Sequence, residues 1–152
     1  MPQLPVKHYP QEMPSGCLAA CSQMVLNYLG LNYSQTQLNR LFELTKAGVP
    51  FSRLKRLTQY GVQVNIMTGD LPDLYKSLNR NIPPIVFVRT GELHYWHSDT
   101  QHAVVITGYE GNFLLLNDPA FPQAPQRVSS AEFMLAWDEF DNHYVHFIQI
   151  QI

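Results

Sequence analysis

HAVVITGYEGNFLLLNDP, residues 102–119, reads as two strands and the turn between them. The runs HAVVITGYE (102–110) and NFLLLND (112–118) are apolar and flank EGN, where Gly111 supplies the positive φ of a tight hairpin turn. Pairing the two runs antiparallel has a chemical consequence. His102 opens the first strand and Asp118 closes the second, so both fall at the same end of the hairpin.

Upstream of the hairpin the pattern is mostly helical. In QEMPSGCLAACSQMVLNYLG (11–30), Pro10 and Pro14 frame a loop, and Leu18, Cys21, Val25 and Leu29 then recur at helical spacing until Gly30. A second helix opens at Ser34, with Gln37 completing a capping box and Leu38, Leu41 and Phe42 forming its apolar stripe. A third spans about residues 52–60, with Leu54 and Leu57 inward, Arg53, Lys55 and Arg56 toward water, and Gly61 as its stop. VQVNIM (62–67) reads as a strand, and Asp70 as the cap of a short helix through Leu78. PIVFV (84–88) is a continuous apolar run expected of a buried strand.

Beyond the hairpin, residues 119–128 are rich in proline and read as loop. Ser129 and Glu132 form another capping box that opens a helix to about residue 140, and the chain closes on the strand YVHFIQIQI. That apolar last strand needs a sheet neighbour to cover it. Residues 3–9 read as a short extended segment. Helices first and antiparallel strands later, with one inserted helix, make an α+β fold and not an alternating βαβ one. No repeat or linker interrupts the chain, so residues 1–152 are expected to form a single domain.

Composition narrows the function. With 152 residues, 45% hydrophobic and 14% charged, the chain is of a globular class able to bury a core. A formal net charge of −2 gives no electrostatic basis for binding nucleic acid or an anionic membrane. No apolar stretch is long enough to span a bilayer, and the N-terminus has prolines at 2, 5 and 10 with no signal-like apolar core. The two cysteines, Cys17 and Cys21, are four apart, where a disulfide within one helix is strained. A soluble, reducing, cytoplasmic setting is the expectation.

Cys17 stands where the loop meets the first helix. A thiol works as a nucleophile only when its pKa falls, and a helix N-terminus and a nearby imidazolium both lower it. His102 supplies the imidazole if its strand packs on that helix, and Asp118 suits the orienting partner on its other nitrogen. Gln11, in the loop leading to the thiol, is placed to offer an amide N–H that joins the backbone N–H of Cys17 in an oxyanion hole. Cys21, one turn further along beside Val25, reads as a core residue. His94, His97, Asp99 and His102 are all metal-ligand types, but their spacing matches none of the familiar sites, so no metal is assigned. Tyr95 and Trp96 are expected to form an apolar rim beside His102.

Gln11, CLAACSQMVLNYLG and HAVVITGYEGNFLLLNDPA together resemble the bacteriocin-processing cysteine peptidases, a family of the papain-like superfamily that cleaves leader peptides after a double glycine. The resemblance implies a papain-like fold, with a nucleophile helix on an antiparallel sheet. It implies Cys17 as nucleophile, His102 as general base, Asp118 as its orienter, Gln11 as oxyanion donor, a peptide or protein substrate and no cofactor. Two positions depart from the family pattern. Leu18 follows the nucleophile where the family usually has glycine, and Gly16 precedes it where a polar or acidic residue is usual. Leu18 therefore joins Tyr95 and Trp96 as an expected substrate-contacting residue, one that shapes the cleft at the thiol. The family domain often precedes a transporter's membrane region, so a stand-alone member or a separated domain is expected. A catalytically silent peptide-binding module, or another thiol acyl transfer such as transglutamination or deamidation, is the alternative reading.

Overall fold

The computed structural model describes residues 3–150. Four α-helices, α1 (Cys17–Tyr28), α2 (Gln35–Phe42), α3 (Leu71–Asn79) and α4 (Ser130–Asp138), accompany six strands. The strands are β1 (Val62–Thr68), β2 (Ile85–Arg89), β3 (Gln101–Glu110), β4 (Phe113–Asn117), β5 (Gln126–Ser129) and β6 (His143–Gln149). All pairings are antiparallel, in one sheet of order β1-β6-β2-β3-β4-β5. The α+β expectation holds.

The hairpin forms as read. Glu110 pairs with Phe113 across Gly111 and Asn112, and Gly111 adopts φ +56. A bulge between Ile106 and Gly108 shifts the register, after which Val105 faces Asn117. Continuing that register by one residue sets Asp118 opposite Val104, the diagonal neighbour of His102 on the same face. The closing strand lies between β1 and β2, so its apolar residues Val145 and Phe147 are covered.

Helix α1 is more deeply buried than a single stripe suggests. Leu18, Ala19, Ala20, Cys21, Ser22, Met24, Val25 and Leu26 are all buried, because the helix packs on β3 on one side and α2 on another. Helix α2 carries both arms of its capping box, Gln37 N to Ser34 Oγ at 3.1 Å and Ser34 N to Gln37 Oε1 at 2.8 Å.

Four local readings are corrected. Residues Phe51–Tyr60 coil as a 3₁₀ helix, whose three-residue repeat matches the spacing of buried Leu54 and Leu57. Arg53 and Arg56 do not simply face water: their guanidinium groups bond the carbonyls of Leu41, Phe42 and Glu43, which the end of α2 leaves unpaired. Part of the proline-rich stretch is a strand, since β5 pairs with β4 from Leu116↔Gln126 to Phe113↔Ser129. The capping box at Ser129 is half made: Ser129 Oγ accepts from Glu132 N at 3.1 Å, but the Glu132 carboxylate turns away to His94. Among the described residues no helix is long and apolar enough to cross a membrane.

Candidate active site

Cys17 is the first residue of α1 and is half-buried. No side chain caps the helix and no acid occupies its first turn, so nothing offsets the positive end of the helix dipole beside the thiol. The loop closes tightly ahead of it, with Gly16 N bonded to Met13 O at 3.0 Å. A Cβ at Gly16 would lie 3.2 Å from that same oxygen, tighter than a side chain ordinarily sits, which accounts for glycine just before the thiol.

The hairpin delivers the other two groups. His102 is 7% exposed and Asp118 wholly buried, and His102 Nε2 donates to Asp118 Oδ1 at 2.7 Å. That bond occupies Nε2 and leaves Nδ1 available on the other side of the ring, while the imidazole and the Cys17 thiol shift each other's titration. Burial pushes the Cys17 thiol up, but the hydrogen bond and charge of His102, together with backbone hydrogen bonds at Ala103 and Leu18, outweigh it and hold the thiol below its ordinary value. Burial works against the imidazolium, yet the bonds and charges of Asp118 and Cys17 raise His102 to about 9. Asp118 is lowered: burial opposes its charge, and His102, the Ala120 N–H and the Trp96 N–H overcome that. Between the lowered value of the Cys17 thiol and about pH 9 the pairing therefore favours a thiolate beside an imidazolium.

A cleft of about 670 Å³ opens at the thiol and is lined in part by Gln11, Leu18, Phe51, Phe87, Trp96 and His102. Leu18 reaches the cleft while only 5% exposed, so most of it serves the core of α1. Gln11 also lines the cleft, with its backbone N–H held by Pro119 O at 2.7 Å. Its side-chain amide is turned into its own loop, donating to Met13 O at 3.1 Å and Pro14 O at 2.9 Å.

Tyr95 and Trp96 are placed otherwise than an apolar rim requires. Tyr95 is not among the cleft-lining residues, and its Oη donates to Asp118 Oδ2 at 2.7 Å. Trp96 does line the cleft and sets its ring at 65° to the His102 ring, centroids 4.9 Å apart, but its Nε1 donates to the same Oδ2 at 2.8 Å. With Ala120 N on Oδ1 at 2.9 Å, Asp118 accepts four hydrogen bonds. These partners were missed because loop 93–100 carries no periodic signal that points to residue 118.

The other candidate ligand types have separate partners. His94 N and Nδ1 both bond Glu132 Oε2 at 2.7 Å, and Asp99 pairs with Arg89 at 2.8 Å. Among the described residues no group of three His, Cys, Asp or Glu side chains is arranged to hold a metal ion. Cys21 is fully buried, with Sγ donating to Ala103 O at 3.4 Å, as its core reading expects.

The same fold recurs among solved structures. The peptidase domain of Streptococcus ComA, a bifunctional ABC transporter, matches with 23% identity and a TM-score of 0.78, over 96% of this chain and 99% of that one. A protein from Bacillus anthracis described as a C39-like peptidase matches with 16% identity and a TM-score of 0.78 over the whole of both chains. A double glycine motif protease from an AMS/PCAT transporter, determined with its leader peptide, matches with 20% identity and a TM-score of 0.76, over 97% and 94% of the two chains. No curated protein sequence matches the chain. The peptidase C39 family model, by contrast, matches residues 6–145, a span that holds Gln11, Cys17, His102 and Asp118. The chain belongs to the peptidase C39 family.

Proposed function

We propose that this protein is a cysteine peptidase acting through Cys17, His102 and Asp118, with a leader-type peptide as its substrate. The observation that carries the reading is the buried 2.7 Å bond from His102 Nε2 to Asp118 Oδ1, which leaves the second imidazole nitrogen for the helix-start thiol. The Cys17 thiolate attacks the scissile carbonyl carbon, a C–S bond forms, and the π electrons move to oxygen. The backbone N–H groups at the start of α1, which no side chain caps, lie beside the thiol and supply donors for this developing charge. Gln11 adds a donor when its amide gives up one of its two loop acceptors. Collapse breaks the C–N bond, and the imidazolium proton of His102 passes to the leaving amine. Water then attacks the acyl-enzyme carbonyl, giving its proton to His102, and the thiol is released with a carboxylate product.

A leader-type substrate rests on family membership and on the related double glycine motif protease determined with its leader peptide. Leu18 within the cleft bears on which residue sits beside the scissile bond. The test is cleavage of a leader-like peptide carrying a double glycine, followed by product mass, with the wild-type protein and Cys17→Ala. Two products of hydrolysed mass from the wild type alone support the reading. Tight binding of the peptide without cleavage under reducing conditions makes the protein a silent binding module. A product of deamidated or cross-linked mass makes it a different acyl-transfer enzyme.

A further inference from the structure

We propose that Tyr95 and Trp96 are positioning residues that clamp Asp118 Oδ2, so that Oδ1 is kept for His102. This rests on the peptidase reading above and adds to it a device outside the Cys-His-Asp set. The carboxylate of Asp118 stands just past the end of β4, where no strand partner fixes its plane. Two donors from consecutive residues converge on Oδ2, at 2.7 Å from Tyr95 Oη and 2.8 Å from Trp96 Nε1. A carboxylate held on both oxygens cannot turn about its axis without losing charge-assisted hydrogen bonds in a buried setting, where such losses are costly.

Consecutive side chains reach one atom because their loop is tightly turned and tied. Leu93 N bonds Thr90 O at 3.0 Å, Trp96 N bonds Leu93 O at 3.1 Å, and the Leu93 side chain is buried. Between them, His94 grips Glu132 Oε2 with both its backbone N and Nδ1. This is why Glu132 leaves its own helix cap half made. Phe121 takes both aromatic rings edge-on, each with centroids 5.2 Å away, so neither ring swings off Asp118 freely. Burial and the Asp118 charge push the Tyr95 phenol far above its ordinary value, so it stays protonated and donates throughout the working range of pH.

The clamp acts on the reaction through orientation. With Oδ2 held, the Oδ1 to Nε2 bond fixes the plane of the imidazole and leaves Nδ1 for the thiol that lines the same cleft. Tyr95→Phe removes one oxygen and keeps the ring; Trp96→Phe removes the N–H and keeps an aromatic neighbour. Each is expected to lower kcat about tenfold, the scale of one charge-assisted hydrogen bond, with KM near its wild-type value. Iodoacetamide alkylation of Cys17 at neutral pH, followed by mass spectrometry, is expected to slow in the same variants and needs no peptide turnover. In an Asp118→Ala background both substitutions are expected to have no further effect on either rate.

Three results overturn the clamp: wild-type rates in both variants, an equal slowing with or without Asp118, or a rise in KM at unchanged kcat, which makes the pair a substrate contact. Circular dichroism confirms the fold, and if one variant fails to fold the other carries the test. Loss of peptide cleavage in the wild type defeats the peptidase reading alone, because the alkylation cycle still reports whether Asp118 and His102 are held through Tyr95 and Trp96.

Discussion

Cys17 opens α1 and Cys21 lies one turn further in, and burial raises the pKa of both thiols. Their neighbours decide the outcome. At Cys17 the His102 imidazolium and backbone hydrogen bonds overcome burial, and the thiol falls below its ordinary value. At Cys21 the negative charges of Cys17 and Asp118 add to burial, and the thiol is pushed well up. The same helix therefore carries one thiol poised to ionise and one held neutral. The difference comes from the strand packed beside them. Its residue 102 gives Cys17 an imidazole, whereas its residue 103 gives Cys21 only a carbonyl oxygen. Burial alone is not protection and exposure alone is not activation; the sign of the nearest charge decides.

The largest expected effect breaks the comparison at its source. His102→Ala removes the charge that lowers Cys17 and leaves burial unopposed, so the first thiol becomes like the second. Peptide hydrolysis is expected to fall by about 10²–10⁴-fold, read as kcat/KM. The next effect is a shift in pH. Asp118→Asn weakens what raises His102 to about 9, so the imidazolium deprotonates at lower pH. The alkaline limb of the rate profile is then expected to move to lower pH from near 9, and a limb that stays put counts against Asp118 as orienter. The smallest effect on catalysis tests the other half. Cys21→Ala is expected to leave kcat unchanged while costing roughly 1 kcal/mol of stability in a denaturant melt, the scale of one small buried group.

These groups were legible in the sequence to different depths. Cys17, His102 and Asp118 stood out because a loop–helix junction and a hairpin are local patterns, and the strand register turns one into a spatial relation. The capping box of α2 and the turn at Gly111 were readable for the same reason. What escaped depends on contacts that no periodicity encodes. Tyr95 and Trp96 read as an apolar rim, because their rings are visible in sequence and the partners of their polar atoms are not. Glu132 fits a capping box by spacing, yet a histidine 38 residues away outbids its own helix end. Strand β5 lies in a stretch whose prolines and glutamines give no alternation, and only pairing with β4 makes it a strand. Gln11 reads from its loop as an oxyanion donor; it lines the cleft, but where its amide points is set by two nearby carbonyls that the sequence does not show.

The central claim is that Cys17, and not Cys21, is the ionised nucleophile. Alkylating the wild-type protein with iodoacetamide across pH, and quantifying each cysteine separately by mass spectrometry, tests it most directly. The expected result is modification of Cys17 alone, with a midpoint below the ordinary thiol value of 9.0, while Cys21 stays unmodified until the protein unfolds. Modification of Cys21 in the folded protein, or a Cys17 midpoint at or above 9.0, would contradict it.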